Sequence, residues 1–439
     1  MQLSRRSLLA GAAGLAVAGC GRAETDPLAG KSAEPPTRPV TIEWLSQKLK
    51  SNDGSDLRQV LVDAFRAAHP NITVRIAQAP PTTDVQRATL TTQIASGAPR
   101  PDVYLGDCVW PAQFAHNSLA TPLDTLVEPG FWDDFAEPVV TSLTYEDRRW
   151  AFPLYLSESF LYYRADLLAK HGIAVPRTWE ELTRAARALT ATGDVRYGLS
   201  WQAAPSETLT CNVAEFVADA GGELVAPDYS RATLDSAAGR RALGFVEELV
   251  GTGVSPRSVA TFSEQESLTT FTGGQAAFLR NWAYAWGTAQ DPSDSQVSGR
   301  IGATFRPTFD GATRSRVSTV GGWHNFVNPH TEQLGAAVAF ARWMSGVDAQ
   351  LILGMRSTQL PASLTAVNDP RIRQNDNPVL RMVPEVDLAP RPTRTPYYPQ
   401  VSEAVYSNIN PVVAGSSDPG AVLAKVSSEI DFALSGVVL

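Results

Sequence analysis

Residues 102–115 read DVYLGDCVWPAQFA. An apolar run, Val103-Tyr104-Leu105, ends in Gly106 and Asp107, and an indole, Trp110, follows three residues later. A carboxylate and a flat aromatic shown to one space can hydrogen-bond a solute and stack on it, because aromatic faces bring large apolar area in a defined orientation. A local reading competes: Asp is a favoured helix N-cap, and Trp110 then packs in the core. A second chemical signal stands at the N-terminus. In SRRSLLAGAAGLAVAGC (4–20), paired arginines precede an apolar run from Leu8 to Gly19 that closes on Cys20. Other chemistry is thinly represented. There is no G-x-S-x-G, no H-E-x-x-H and no phosphate loop, and His69, His116, His171, His324 and His330 show no metal-ligand spacing.

These residues need elements to carry them. The chain has 439 residues, 44% hydrophobic and 19% charged, which is enough for two to three domains. Its formal charge of −8 gives no basic face for nucleic acid. From Val40 the text alternates: VTIEWLS is a strand, and GSDLRQVLVDAFRAAHPN carries Leu57, Val60, Leu61, Ala64, Phe65 and Ala68 at helix spacing. ITVRIAQA returns to strand, VQRATLTTQIASG to helix, PDVYLGD to strand and WPAQFAHNS to helix. Strand and helix in alternation predict an α/β sheet wrapped by crossover helices. Ligands of such sheets sit beyond the carboxyl ends of the strands, where Asp107 falls. A second set begins near Trp150: FLYYRADLLAKHG, a helix after Thr178 with Glu181 as a capping box, the strand YGLSW, then FTGGQAAFLRNWAYAW with Trp282 and Trp286 four apart. Two α/β bodies are expected, with the chain crossing between them more than once.

The apolar run of residues 8–19 is too short to span a membrane and fits an export signal. Arg5 and Arg6 resemble a twin-arginine address. Val17-Ala18-Gly19-Cys20 resembles a lipobox, in which Cys20 takes lipid and becomes the first mature residue. Residues 21–39, with three prolines near the end, read as a solvated tether with a reach of about 25 Å. Export permits a disulfide between the two remaining cysteines, Cys108 and Cys211. Two separate, mostly buried thiols are expected.

WAFPLYLSESFLYYRADLLAKHGIAVPRTWEEL, AGGELV, FTGGQAAFLRNWA, GGWHNFVN and FARWMSGVDAQ, in this order, resemble a family 1 extracellular solute-binding lipoprotein of an ABC importer, over about residues 40–434. GDCVWPAQFAHNSLATPLD and RPTRTPYYPQVSEAV resemble most its members that bind trehalose and related disaccharides. The resemblance implies a two-lobed, maltose-binding-protein-like clamp of the periplasmic-binding-protein type II class, closing on a carbohydrate without a cofactor. It also implies an ABC permease as partner, a lipid anchor at the outer face of the membrane, and a monomer. Residues 1–19 would be the signal peptide and 20–39 the lipidated tether. Lobe 1 would comprise 40–154 and 313–355, and lobe 2 would comprise 155–312 and 356–439.

Within that frame Asp107 matches the family's acid at the third strand tip, and Trp110 lines the same wall or packs in the core. Asp53, in SNDGSD, sits in a loop that lines the cleft in relatives or is a turn aspartate before Gly54. Glu158 follows the inter-lobe crossing, where the disaccharide binders place a polar contact. Trp282 stands where the family stacks an aromatic on the ligand, with Trp286 packing inside. Gly321 and Gly322 let backbone approach a ligand closely, and Trp323 stacks or plugs the cleft. Arg391 matches an arginine of the disaccharide binders, whose planar fork can clasp vicinal hydroxyls; otherwise it is a surface residue. The rivals are an exported glycoside hydrolase using Asp107 and Glu158 as its two carboxylates, and the same fold carrying a glycerol phosphodiester, an amino acid or a peptide.

Overall fold

The computed structural model describes residues 31–80 and 82–436. The export signal, Cys20 and residues 20–30 of the tether lie outside them.

Two sheets organise the chain. The first has six strands in the order Leu360–Pro361, Phe152–Leu156, Gly322–Val327, Val103–Asp107, Val40–Ser46, Ile72–Gln78. Its last three pair in parallel, as strand–helix–strand crossovers require. Gly322–Val327 runs antiparallel between Val103–Asp107 and Phe152–Leu156. Trp44, Phe65, Phe152 and Phe340 form the core beside this sheet. The second sheet has the order Ile301–Thr304, Ser159–Arg164, Ala276–Trp282, Tyr197–Ser200. Trp179, Trp201, Phe216 and Phe278 pack beneath it. The helix Trp179–Ala191 starts as its sequence predicts: Thr178 accepts from Glu181 N. The return contact of Glu181 goes to Arg177 N, one residue before the cap.

The chain passes between the sheets at three places. Leu156 closes a strand of the first and Ser159 opens one of the second. The second passage returns through Val317–Thr319, which pairs with Asp387–Ala389 of the third. The expected division placed everything from 356 in the second lobe. The structure keeps Leu360–Pro361 in the first sheet, paired with Leu156 and Tyr155. The third passage therefore comes later, and the helix Tyr398–Val413 joins the second core through Val401, Val405 and Ile409. The last part of the expected tether also differs. Lys31 Nζ donates to Pro329 O, and Ala33 and Glu34 lie so close to Gly335 that a Cβ there would meet Glu34 O at 1.9 Å. A helix glycine leaves a flat spot on which this extended segment rests.

Candidate functional site

Strand register builds one wall of a cleft. Trp323 faces Asp107 on one side and Tyr155 on the other across three neighbouring strands. Directly paired residues project from the same face of a sheet, so an acid, an indole and a phenol form one row at the strand ends. All three line a cavity of about 910 Å³, at the upper end of the range for small-molecule sites. The opposite wall comes from the second lobe. Trp282 ends the strand Ala276–Trp282, Glu207 opens the helix Glu207–Asp219, and Tyr284 and Trp286 follow in the next turn. The Arg280 guanidinium lies 4.1 Å from the centroid of the Trp282 ring and holds it by a cation–π contact.

Arg391 sits between the walls, 3% exposed. Its Nη1 donates to Glu207 Oε1 and, at 3.3 Å, to Cys211 Sγ. Its Nη2 donates to Cys108 Sγ at 2.9 Å and to Val320 O at 3.1 Å, and lies 3.5 Å from Asp107 Oδ1. Both cysteines are free and buried. Burial pushes both thiols up, against the pull of Arg391, so they pack as neutral groups. Glu207 also accepts from Tyr398 Oη and, at 2.6 Å, from Ser402 Oγ. Burial raises its carboxyl while Arg391 opposes the shift.

Asp107, Trp282, Gly322, Trp323 and Arg391 are thus brought to one cavity, and three other expected residues are not. Asp53 is an exposed turn aspartate: its Oδ1 accepts from Ser55 N and Oγ, and its neighbour Asn52 lines the cavity instead. Trp110 is 2% exposed, stacked on Phe114 at 5.2 Å and edge-on to Trp323 at 6.0 Å. Packing claims it, and Pro111 at the first helical position leaves Asp107 Oδ1 to accept from Val109 N. Glu158 is 1% exposed, away from the cavity wall, with Oε2 unpartnered among the described residues. Burial alone pushes its carboxyl up to about 8. A neutral acid at the lobe crossing is no ligand contact here.

Three further readings change. Trp286 lines the cavity rather than packing inside. Arg391 is neither a surface residue nor an empty fork, since Nη1 and Nη2 already have protein partners. The glycines serve the chain itself: a Cβ on Gly321 would lie 2.1 Å from Ser157 O, and one on Gly322 2.7 Å from Tyr155 O. Glu207 and Tyr155 were missed. An acid at the start of a helix is ordinary, favoured there by the helix dipole, so only the fold reveals that this helix begins at the cleft.

The cleft's rim carries one more inter-lobe contact: Lys50 Nζ lies 3.3 Å from Asp291 and 2.7 Å from Asp294. Among the described residues no group of His, Cys, Asp and Glu is arranged to hold a metal ion, and no helix is long and apolar enough to cross a membrane.

Comparison with known proteins agrees with this architecture. A probable ABC transporter-binding protein of Deinococcus radiodurans is 27% identical over 374 residues, covering 82% of this chain and 86% of the relative. The maltose-bound MalE3 of T. maritima superposes with a TM-score of 0.82 at 26% identity, over 90% of this chain and 99% of that one. The GacH receptor of Streptomyces glaucescens, solved unliganded and with acarbose, gives 0.80 at 22% identity over 90% and 99%, and shares the fold. Residues 50–351 match the profile of the bacterial extracellular solute-binding proteins, and the chain belongs to that family, the binding-protein component of ABC transporters.

Proposed function

We propose that this protein captures a neutral carbohydrate, of disaccharide size or larger, between its lobes and delivers it to an ABC permease. The observation that carries the reading is the make-up of the walls. Tyr155, Trp282, Tyr284, Trp286 and Trp323 offer flat faces for the C–H side of sugar rings, and Asp107, Asn52, Gln47 and Gln359 offer hydrogen-bond partners for hydroxyls. Asp107 accepts from hydroxyls on one lobe while Trp282 stacks from the other. A ligand held by both lobes favours the closed arrangement by its differential affinity for it.

Charge separates this cargo from its rivals. The lining cations are Lys48, Lys50 and Arg391, against Asp107, Glu207, Glu264, Asp291 and Asp376. Arg391 is already opposed by two acids and Lys50 by two more. A phosphodiester would enter a net acidic cleft. The hydrolase pairing of Asp107 with Glu158 loses its second member, because Glu158 is absent from the wall. The polypeptide works outside the cytoplasm as a monomer, tethered by lipid on Cys20 after export.

A thermal-shift screen over neutral mono- and disaccharides, amino acids and glycerol phosphodiesters tests the reading, since a ligand of the native state raises Tm by linkage. A neutral sugar is expected to give the largest shift and to be recovered intact. A shift from an amino acid or a phosphodiester alone would contradict it.

A further inference from the structure

We infer that the sugar cleft continues past Glu207 into a second chamber that takes one further sugar unit, so that the cargo is an oligosaccharide of at least three units. The inference rests on the carbohydrate reading above and deepens it. A separate cavity of about 180 Å³ has Thr83 and Glu207 in its wall, and both residues also line the main cavity. The two spaces adjoin at these residues, and the inferred path of a longer sugar chain runs along them. At ~30 Å³ per water this is the space of roughly six water molecules, enough for one pyranose ring and too little for two.

The chamber is built as the main cavity is, from both lobes. Thr83, Asp84 and Arg87 come from the helix Thr83–Ala95 beside the first sheet. Tyr398, Ser402 and Tyr406 come from the helix Tyr398–Val413 of the second lobe. Its chemistry repeats too. Asp84 and Arg87 pair with each other at 3.6 Å, and Glu207 and Glu403 leave the wall net acidic, as in the main cavity, which disfavours an anionic guest. Tyr406 is half-buried and offers a ring face and a hydroxyl. Trp110, displaced from the main wall, lies in this one. Glu207 is the post between the two spaces: Arg391, of the main cavity, holds Oε1, and Ser402, of the chamber, donates to Oε2 at 2.6 Å. A saccharide threading past it meets a carboxylate whose geometry is fixed from both sides.

The test is calorimetric titration of the full chain with matched di-, tri- and tetrasaccharides of α-1,4-, α-1,6- and β-1,4-linked glucose. In at least one series the trisaccharide is expected to bind about tenfold more tightly than the disaccharide, with no further gain for the tetrasaccharide. Gln400→Trp, at an exposed position on the chamber wall, is expected to remove that gain and leave the disaccharide within twofold of the wild type. Equal binding of two and three units, or a gain that persists in Gln400→Trp, would overturn the chamber and leave the carbohydrate reading standing. Failure of every saccharide, with a shift from an amino acid or phosphodiester, would overturn both.

Discussion

The helix Glu207–Asp219 carries a buried charge cluster at each end, and the two differ in how completely they are closed. At its C-terminal end Glu215 Oε2 accepts from Arg280 Nη2 at 2.6 Å and Nε at 3.0 Å, and lies 3.2 Å from Arg306 Nε. Its Oε1 takes Ser159 Oγ at 2.6 Å and Thr319 N and Oγ1 at 3.2 Å each. Asp219 accepts from Arg306 and, at 3.0 Å, from Trp179 Nε1. These four charged side chains are at most 1% exposed. Burial works to raise Glu215, but Arg280 and Arg306 outweigh it and hold it below the ordinary carboxylate value. At the N-terminal end, Asp107 and Glu207 keep side-chain exposures of 13% and 16%, and both line the cavity with Arg391. The closed cluster ties Ser159 and Thr319, from two of the three inter-lobe passages, to one helix. The open cluster presents the Asp107 and Glu207 side chains to the cavity. One stabilises the crossing; under the proposed function the other is completed by a solute.

Substitutions should separate the two. Glu215→Gln removes the charge that compensates two buried guanidiniums, and loss of one partner of a buried ion pair costs about 3–5 kcal/mol. Urea unfolding should register that loss, and a cost below about 1 kcal/mol would break the distinction. Arg391→Met should cost less, roughly 1–3 kcal/mol, because the carboxylates it abandons still reach solvent. If it destabilises as much as Glu215→Gln, the cleft cluster is structural as well.

Titration gives a subtler separation. Burial pushes Glu158 up to about 8 and Asp219, against the pull of Arg306, up to about 7. A carboxyl with a raised folded value binds its proton more tightly in the native state than in the unfolded chain. The stability it lends is full below the unfolded value, about 4.3 for Glu, and is lost as pH rises through the folded value. Unfolding free energy should therefore fall from pH 5 to 8, and Glu158→Gln should flatten part of the slope. An unchanged slope would show that Glu158 is ionised in the fold. The smallest effect belongs to the rim. The Lys50 contacts with Asp291 and Asp294 are exposed ion pairs, which water and salt screen strongly. Lys50→Ala should lower sugar affinity about twofold in low salt and not at all in 1 M salt; an effect that survives high salt would show that the contact is not electrostatic.

Much of this frame was legible in the sequence because it rests on short-range patterns. The alternation from Val40 to His116 sets the parallel strands, and the resemblance carried Asp107 and Trp282 to a common cleft. What stayed hidden depends on register and long-range packing. Nothing local tells that Trp323 falls between Asp107 and Tyr155, or that the helix opened by Glu207 points into the cavity. Asp53 and Glu158 show the opposite failure. Each stands near the right place in the chain, but a turn consumed one carboxylate and burial neutralised the other. Arg391 was placed in the site by analogy, and only the fold shows that Glu207, Asp107 and two thiols already surround it.

The central claim is that a neutral sugar is held between the Asp107 carboxylate of one lobe and the Trp282 indole of the other. Isothermal titration of Asp107→Ala and Trp282→Ala with the sugar that the wild type binds best tests it most directly. Each variant should lose roughly 1–3 kcal/mol of affinity, about tenfold or more, with its unfolding midpoint nearly unchanged. Wild-type affinity in both variants would contradict the claim.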